Sequence, residues 1–281
     1  MKNFLIFLFF LTNSFSVLAI RNGVVVSGHS FPTVGYLVLS SGGSCSATLI
    51  APNLIITADH CTDHLVGNKQ STEMKFLLPS SREIFQIILT YKYPSPTMFN
   101  DVALMILDHD SMVRPSPLNT QRHPTDSYKN PPRLKILGYG MTGNEQMGLD
   151  DLLASRNRRI KNVIENGNWE EMIPLKLGEV QFQKYNKVFD MNQLDDIELL
   201  MYVSPVNDSI FCYGDSGGPV FIEKEGRLML DGVISQIVQN DLSRSSLSSA
   251  CNVAHLGVVS PIIKHRDWVS FTFSRFLVRG D

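Results

Sequence analysis

The sequence predicts an all-β fold of closed antiparallel strands that ends in a C-terminal α-helix. Two observations carry this expectation. Along most of the chain, short apolar runs rich in β-branched and aromatic residues alternate with Gly, Pro, Asn and Ser, as half-buried strands joined by turns do. Near the end the spacing changes. Ile262, Ile263, Trp268, Val269, Phe271, Phe273 and Phe276 suit one face of a partly amphipathic helix, and their aromatic density is that of core packing.

In chain order, strands of the first half are expected at Val24–Val26, Tyr36–Leu39, Ala47–Ile50, Leu54–Thr57, Met74–Leu78, Ile84–Leu89 and Val102–Leu107. The stretch Asp108–Pro132 holds five prolines among many polar residues and reads as a connector between halves. Further strands are expected at Leu134–Tyr139, Val180–Phe182, Pro219–Ile222, Leu228–Ile234 and Gly257–Val259. Between Met141 and Leu200 charged residues mix with scattered Leu, Ile and Met. Short helices are expected there around Asp150–Ile164 and Met191–Met201, within long loops that elaborate the second half. There is no internal repeat and no low-complexity tract.

A chain of 281 residues can bury one large core or two small ones. Hydrophobic residues at 43% exclude wholesale disorder, and a net charge of −2 leaves no electrostatic footprint for nucleic acid. The basic cluster Arg156–Lys161 reads as a solvated face. Residues 1–19 read as a secretory signal peptide: Lys2 gives a positive start, Phe4 to Leu11 an apolar run, and Val17-Leu18-Ala19 a small-residue end. The apolar run is too short to span a bilayer and is interrupted by Thr12, Asn13 and Ser14. Export is therefore expected, with a mature chain of 20–281 that has no membrane span. The four cysteines, Cys45, Cys61, Cys212 and Cys251, favour two disulfides in an exported chain. Three pairings are possible and spacing does not choose among them. A zinc site at His60, Cys61 and His64 competes, although no Cys-x-x-Cys unit supports it.

The segment Gly214-Asp215-Ser216-Gly217-Gly218-Pro219 is the most informative. Glycines around one serine let the backbone turn sharply and bring its N–H groups close to a reacting carbonyl. A serine hydroxyl needs a base to become nucleophilic. Thr57-Ala58-Asp59-His60-Cys61 offers an imidazole after an apolar strand, and Asn100-Asp101-Val102-Ala103-Leu104 an acid to orient it.

These three segments, in this order, resemble the His, Asp and Ser signatures of the chymotrypsin/trypsin-like serine endopeptidases. The likeness covers Ile20 to the Trp268 region and is weakest from about Met141 to Leu200. It implies two packed six-stranded antiparallel β-barrels, about 20–125 and 126–281, with the active site in the cleft between them. It further implies a triad of His60, Asp101 and Ser216, an oxyanion hole of the Gly214 and Ser216 N–H groups, and Ser235 as a support for Asp101 and the substrate backbone. The same resemblance pairs Cys45 with Cys61 and Cys212 with Cys251. Ile20-Arg21-Asn22-Gly23 resembles the family's mature N-terminus, whose freed amine pairs with the acid before the nucleophile, here Asp215. Ala19 directly precedes Ile20, so signal peptidase itself is expected to release the activating terminus, the alternative being cleavage nearby and trimming by a second protease.

The chain also departs from the family. Asp59 replaces the usual Ala, and beside Asp101 its carboxyl is expected to be protonated, hydrogen-bonded or turned towards solvent, without a direct catalytic part. Ile210 stands at the pocket base where trypsins carry Asp, Ile237 where many relatives have Gly, and Gln236 replaces a usual Trp. An apolar pocket disfavours Arg or Lys, so cleavage after small or medium apolar residues is expected. Rotation of both isoleucines into the core is the alternative. The glycosylation pattern Asn207-Asp208-Ser209 is incidental. The expected protein is a secreted endopeptidase, monomeric, acting on proteins or peptides without a cofactor or metal. The competing reading is a silent homologue that binds a partner. An esterase elbow is disfavoured by the order of the three residues.

Overall fold

The computed structural model describes residues 20–62, 71–94, 100–121, 132–141, 149–181, 200–202, 209–239 and 254–277. The first half supplies β1 (Val24–Val26), β2 (Val34–Val38), β3 (Ser44–Ala51), β4 (Leu54–Thr57), β5 (Ser71–Leu78), β6 (Glu83–Lys92) and β7 (Ala103–Leu107). Strands β2 to β7 close a barrel in the order β2-β3-β4-β7-β6-β5. Its interior is the side that the paired apolar residues face: Leu37, Leu49, Ile55, Phe76, Phe85 and Met105 are all fully buried.

The second half supplies β8 (Arg133–Gly138), β9 (Leu175–Gln181), β10 (Leu200–Tyr202), β11 (Pro219–Lys224), β12 (Arg227–Gln239) and β13 (Ala254–Pro261). These six antiparallel strands gain a seventh, in the order β1-β9-β8-β11-β12-β13-β10. The addition of β1 was not expected. Backbone bonds between Arg21 and Ile210 (2.9 and 3.2 Å) carry the N-terminal segment across to the second half, and Val24–Val26 then pair with Leu177–Leu175. As an edge strand, β1 leaves Val24 and Val25 exposed.

Two helices complete the described chain, α1 (Leu149–Asn166) and α2 (Ile262–Leu277). The former matches the helix expected around Asp150–Ile164, and the latter the expected terminal helix. The helix expected over Met191–Met201 is corrected at its end, where Leu200 and Met201 pair with Val258 and Gly257 as strand β10; the remainder of that span lies outside the described residues. So does the division near residue 125. The described part of the connector clasps both halves. Ser116 N–H donates to Leu49 O at 2.9 Å, while Asn119 N–H donates to Leu230 O at 2.7 Å.

Cys45 on β3 is bonded to Cys61, 16 residues on. The bridge fixes the turn that follows β4 to the barrel wall. Replacing both cysteines by alanine should lower unfolding stability by about 3 kcal/mol, as expected for a loop of this length. A urea midpoint left unchanged in the double variant would contradict that structural role.

Candidate active site

Strand β4 ends at Thr57, and the next residues turn through a single 3-10 turn, Asp59–Thr62. This turn delivers His60 to the seam between the sheets, where 42% of its side chain is exposed. Asp101 stands just before β7, the strand paired with β4 through Thr57↔Ala103. That register brings imidazole and acid together. His60 Nδ1 lies 2.7 Å from Asp101 Oδ2, and the His60 backbone N–H donates to Oδ1 at 2.9 Å.

The second sheet holds the same carboxylate from behind. Ser235 Oγ, buried on β12, donates to Asp101 Oδ2 at 2.5 Å, and the Asp101 N–H donates to Ser260 Oγ on β13 at 3.1 Å. Burial alone raises the Asp101 carboxyl, but the His60 bond and charge, followed by the Ser235 hydroxyl, outweigh it and leave it below the ordinary range. Asp101 is thus held ionised against the Nδ1 side of the ring.

Ser216 sits in the turn before β11. Its Oγ donates to the Ser235 carbonyl at 3.3 Å, so Ser235 touches both the acid and the hydroxyl. The turn has φ of +88° at Gly214 and +79° at Gly217, where side chains are strained. At Gly217 a Cβ would also lie 2.0 Å from Thr57 Oγ1 and 2.2 Å from Ser46 O. The nucleophile loop therefore presses against the end of the strand that carries His60. Ser46 clamps the loop from the first barrel: its N–H donates to Ser216 O at 2.8 Å and its Oγ to Gly214 O at 3.0 Å. With both carbonyls held, the Gly214 and Ser216 N–H groups have no acceptor among the described residues. Two free amides beside one hydroxyl can receive a developing oxyanion.

Asp215 is fully buried. Its Oδ1 accepts from Gly140 N–H and its Oδ2 from Cys212 N–H, both at 2.8 Å. Burial pushes its carboxyl up to about 7, against those two bonds and the charges of Arg156 and Lys176. Ile20 is also fully buried, packed with Phe211, Ile136 and Val259 in the second core. Before any cleavage its nitrogen belongs to the Ala19–Ile20 peptide bond and carries no charge.

Asp59 is buried, which corrects the solvent-facing alternative. Its Oδ1 meets Lys92 Nζ at 3.5 Å and lies 3.4 Å from the Thr62 hydroxyl. Burial raises its carboxyl above the ordinary range, with Lys92 opposing and Asp101 adding to the rise. Arg156 corrects another expectation. Rather than lining a solvated face, it is buried and donates to Gly140 O at 3.2 Å and to Tyr139 O. Ile210 is fully buried and packs on Ile237, which is half-buried. Cys212 is disulfide-bonded; its expected partner Cys251 lies outside the described residues. Ser46, Ser260 and Lys92 went unread in the sequence, since a hydroxyl or a cation on a strand looks like an ordinary surface residue. No metal is called for near His60, because Cys45 and Cys61 spend their sulfurs on the bridge.

Two antiparallel β-units with Ser, His and Asp at their seam define the architecture of the trypsin-like serine proteases. The family model described as Trypsin matches residues 20–269, and the chain belongs to that family. It is 23% identical over 262 residues to the CLIP domain-containing serine protease C9 of Anopheles gambiae, covering 91% of this chain and 68% of that one. Its fold is similar to neuropsin, a serine protease expressed in the limbic system of mouse brain. That match has a TM-score of 0.60 and 18% identity, over 90% of this chain and all of the other.

The Asp215 carboxyl gives a pH prediction for the uncut chain. A group raised from 3.8 to about 7 stabilises the fold fully below pH 4, and that contribution is lost as pH climbs to 7. At about 1.4 kcal/mol per unit over roughly three units, the full loss is about 4 kcal/mol. Subtracting the stability profile of Asp215→Asn isolates this fall. Parallel profiles for the two proteins between pH 4 and 7 would contradict the assignment.

Proposed function

We propose that the chain is a secreted serine endopeptidase acting through an acyl-enzyme, with His60, Asp101 and Ser216 as its catalytic residues. The observation that carries this reading is the Ser235 junction, where one residue binds both the Asp101 carboxylate and the Ser216 hydroxyl. His60 Nε2 takes the Ser216 proton as Oγ attacks the scissile carbonyl, and Asp101 holds the ring by Nδ1–H and balances the imidazolium. The carbonyl oxygen, now negative, is received by the Gly214 and Ser216 N–H groups. His60 then returns the proton to the leaving amine. Water, deprotonated by the same imidazole, releases the acyl group and restores Ser216.

Cleavage after Ala19 frees an ammonium at Ile20, and its partner is Asp215. The burial of Ile20 among residues of the second core and the raised Asp215 carboxyl support that pairing. An ammonium would hold the carboxylate ionised and order the loop that bears Gly214 and Ser216. Signal peptidase is the proposed agent. Lys2, the apolar run to Leu11 and the small residues up to Ala19 support export. The Cys45–Cys61 bridge suits it, and no helix among the described residues is long and apolar enough to cross a membrane. Ile210 is buried, as the core-facing alternative has it, so half-buried Ile237 packed over it is what supports small or medium apolar residues before the cleaved bond.

Two measurements test this on protein that begins at Ile20. A fluorophosphonate probe should label wild type and not Ser216→Ala, whose turnover should fall about a millionfold. An unlabelled wild type would place the chain with the silent, partner-binding homologues. A peptide library should return apolar residues at the cleaved position, and preferential hydrolysis after Arg or Lys would refute the apolar pocket.

A further inference from the structure

Asp59 and Lys92 form an ion pair directly beside the reacting couple. Asp59 precedes His60 in the chain, and Lys92 ends β6. The register Lys92↔Ala103 sets the lysine two positions from Asp101 on the neighbouring strand. The turn that carries His60 is therefore tied twice to this corner of the barrel. One tie is His60 to Asp101 at 2.7 Å, and the other is Asp59 to Lys92 at 3.5 Å. The Thr62 hydroxyl closes the turn on itself, donating to Asp59 O at 2.6 Å.

Charge makes the second tie more than a staple. A buried carboxylate next to an imidazole favours the imidazolium, and an ammonium at similar range opposes it. Alone, Asp59 would leave more of His60 protonated and unable to accept a proton. Alone, Lys92 would weaken it as a base. Together their opposite charges act against one another at the ring.

We propose that the Asp59–Lys92 pair is a charge-balanced positioning device for His60, fixing its turn to β6 while leaving Asp101 alone to set the imidazole's basicity. This rests on the serine-protease reading above. Among the described residues, the hydroxyls of Ser235 and Ser260 also bond Asp101, and that of Ser216 rests on the Ser235 carbonyl; none changes charge at these pH values. Cys61 is held in its disulfide. From α2, His265 meets the Tyr93 ring at 4.6 Å, one residue beyond Lys92. Asp63 and His64 lie outside the described residues.

The test is the acid limb of the kcat/KM–pH profile for protein starting at Ile20, with a small chromogenic peptide substrate. Lys92→Met should move the limb up by about half a pH unit and Asp59→Asn should move it down by about as much, the effect of one charge nearby at intermediate dielectric. The double variant should return to the wild-type limb, and Lys92→Arg should stay there. Single variants that only lose activity, with the limb unmoved or moved the same way, would overturn the proposal and leave a purely structural staple. If Asp59→Asn does not fold, the contrast between Lys92→Met and Lys92→Arg decides alone. Failure of the underlying reading shows separately, as a wild type that neither hydrolyses substrate nor takes the fluorophosphonate.

Discussion

Asp101 carries a buried negative charge at the seam of two β-units, and its partners come from both. The first barrel supplies His60 through its backbone N–H and its ring. The second sheet supplies the hydroxyl of Ser235, and Ser260 anchors the Asp101 backbone. A buried carboxylate without such partners would be costly or would take up a proton. Satisfying this one therefore fixes how strand β7 of one unit stands against β12 and β13 of the other. The same constraint orders the chemistry, because Ser235 also receives the Ser216 hydroxyl.

A second buried carboxylate organises the opposite side of the nucleophile loop. Asp215 is held by amides of Gly140 and Cys212, with Arg156 bracing the carbonyls of Tyr139 and Gly140. Around it the N-terminal segment crosses from the first half, with Ile20 buried and β1 added to the far edge of the sheet. The seventh strand follows directly on this buried segment in the chain. The two carboxylates stand in different electrostatic states. Asp101, with a hydrogen-bonded imidazole at hand, is driven towards ionisation. Asp215, with amides as its nearest partners, is driven towards protonation. Under the proposed activation a single bond cleavage would reverse the second state.

The strands were readable because short apolar runs between turn residues are a local signal, and Leu54–Thr57 stands where its run puts it. Strand β10 escaped because three residues at the end of a charged stretch give no period to detect. Strand β12 runs to Gln239, past the expected end at Ile234, since a bulge between Ile234 and Gln236 breaks the alternation that marks a strand. Among site residues, His60, Asp101 and Ser216 were legible through their neighbours: an adjoining cysteine, an apolar run and a glycine frame. Ser46, Ser260, Lys92 and Arg156 have no such frames. Their roles come from distant segments meeting, and Ser46 and Gly214 are 168 positions apart.

In the proposed mechanism Asp101 gives the His60–Ser216 pair its reactivity by fixing the imidazole through Nδ1. The rate of fluorophosphonate reaction at Ser216 in Asp101→Asn, followed by mass spectrometry at neutral pH, tests it most directly. Asparagine keeps the shape of the side chain but presents the ring with the wrong hydrogen-bonding partner. Labelling should then slow by about 10⁴-fold relative to wild type. An unchanged rate in a folded variant would contradict the account.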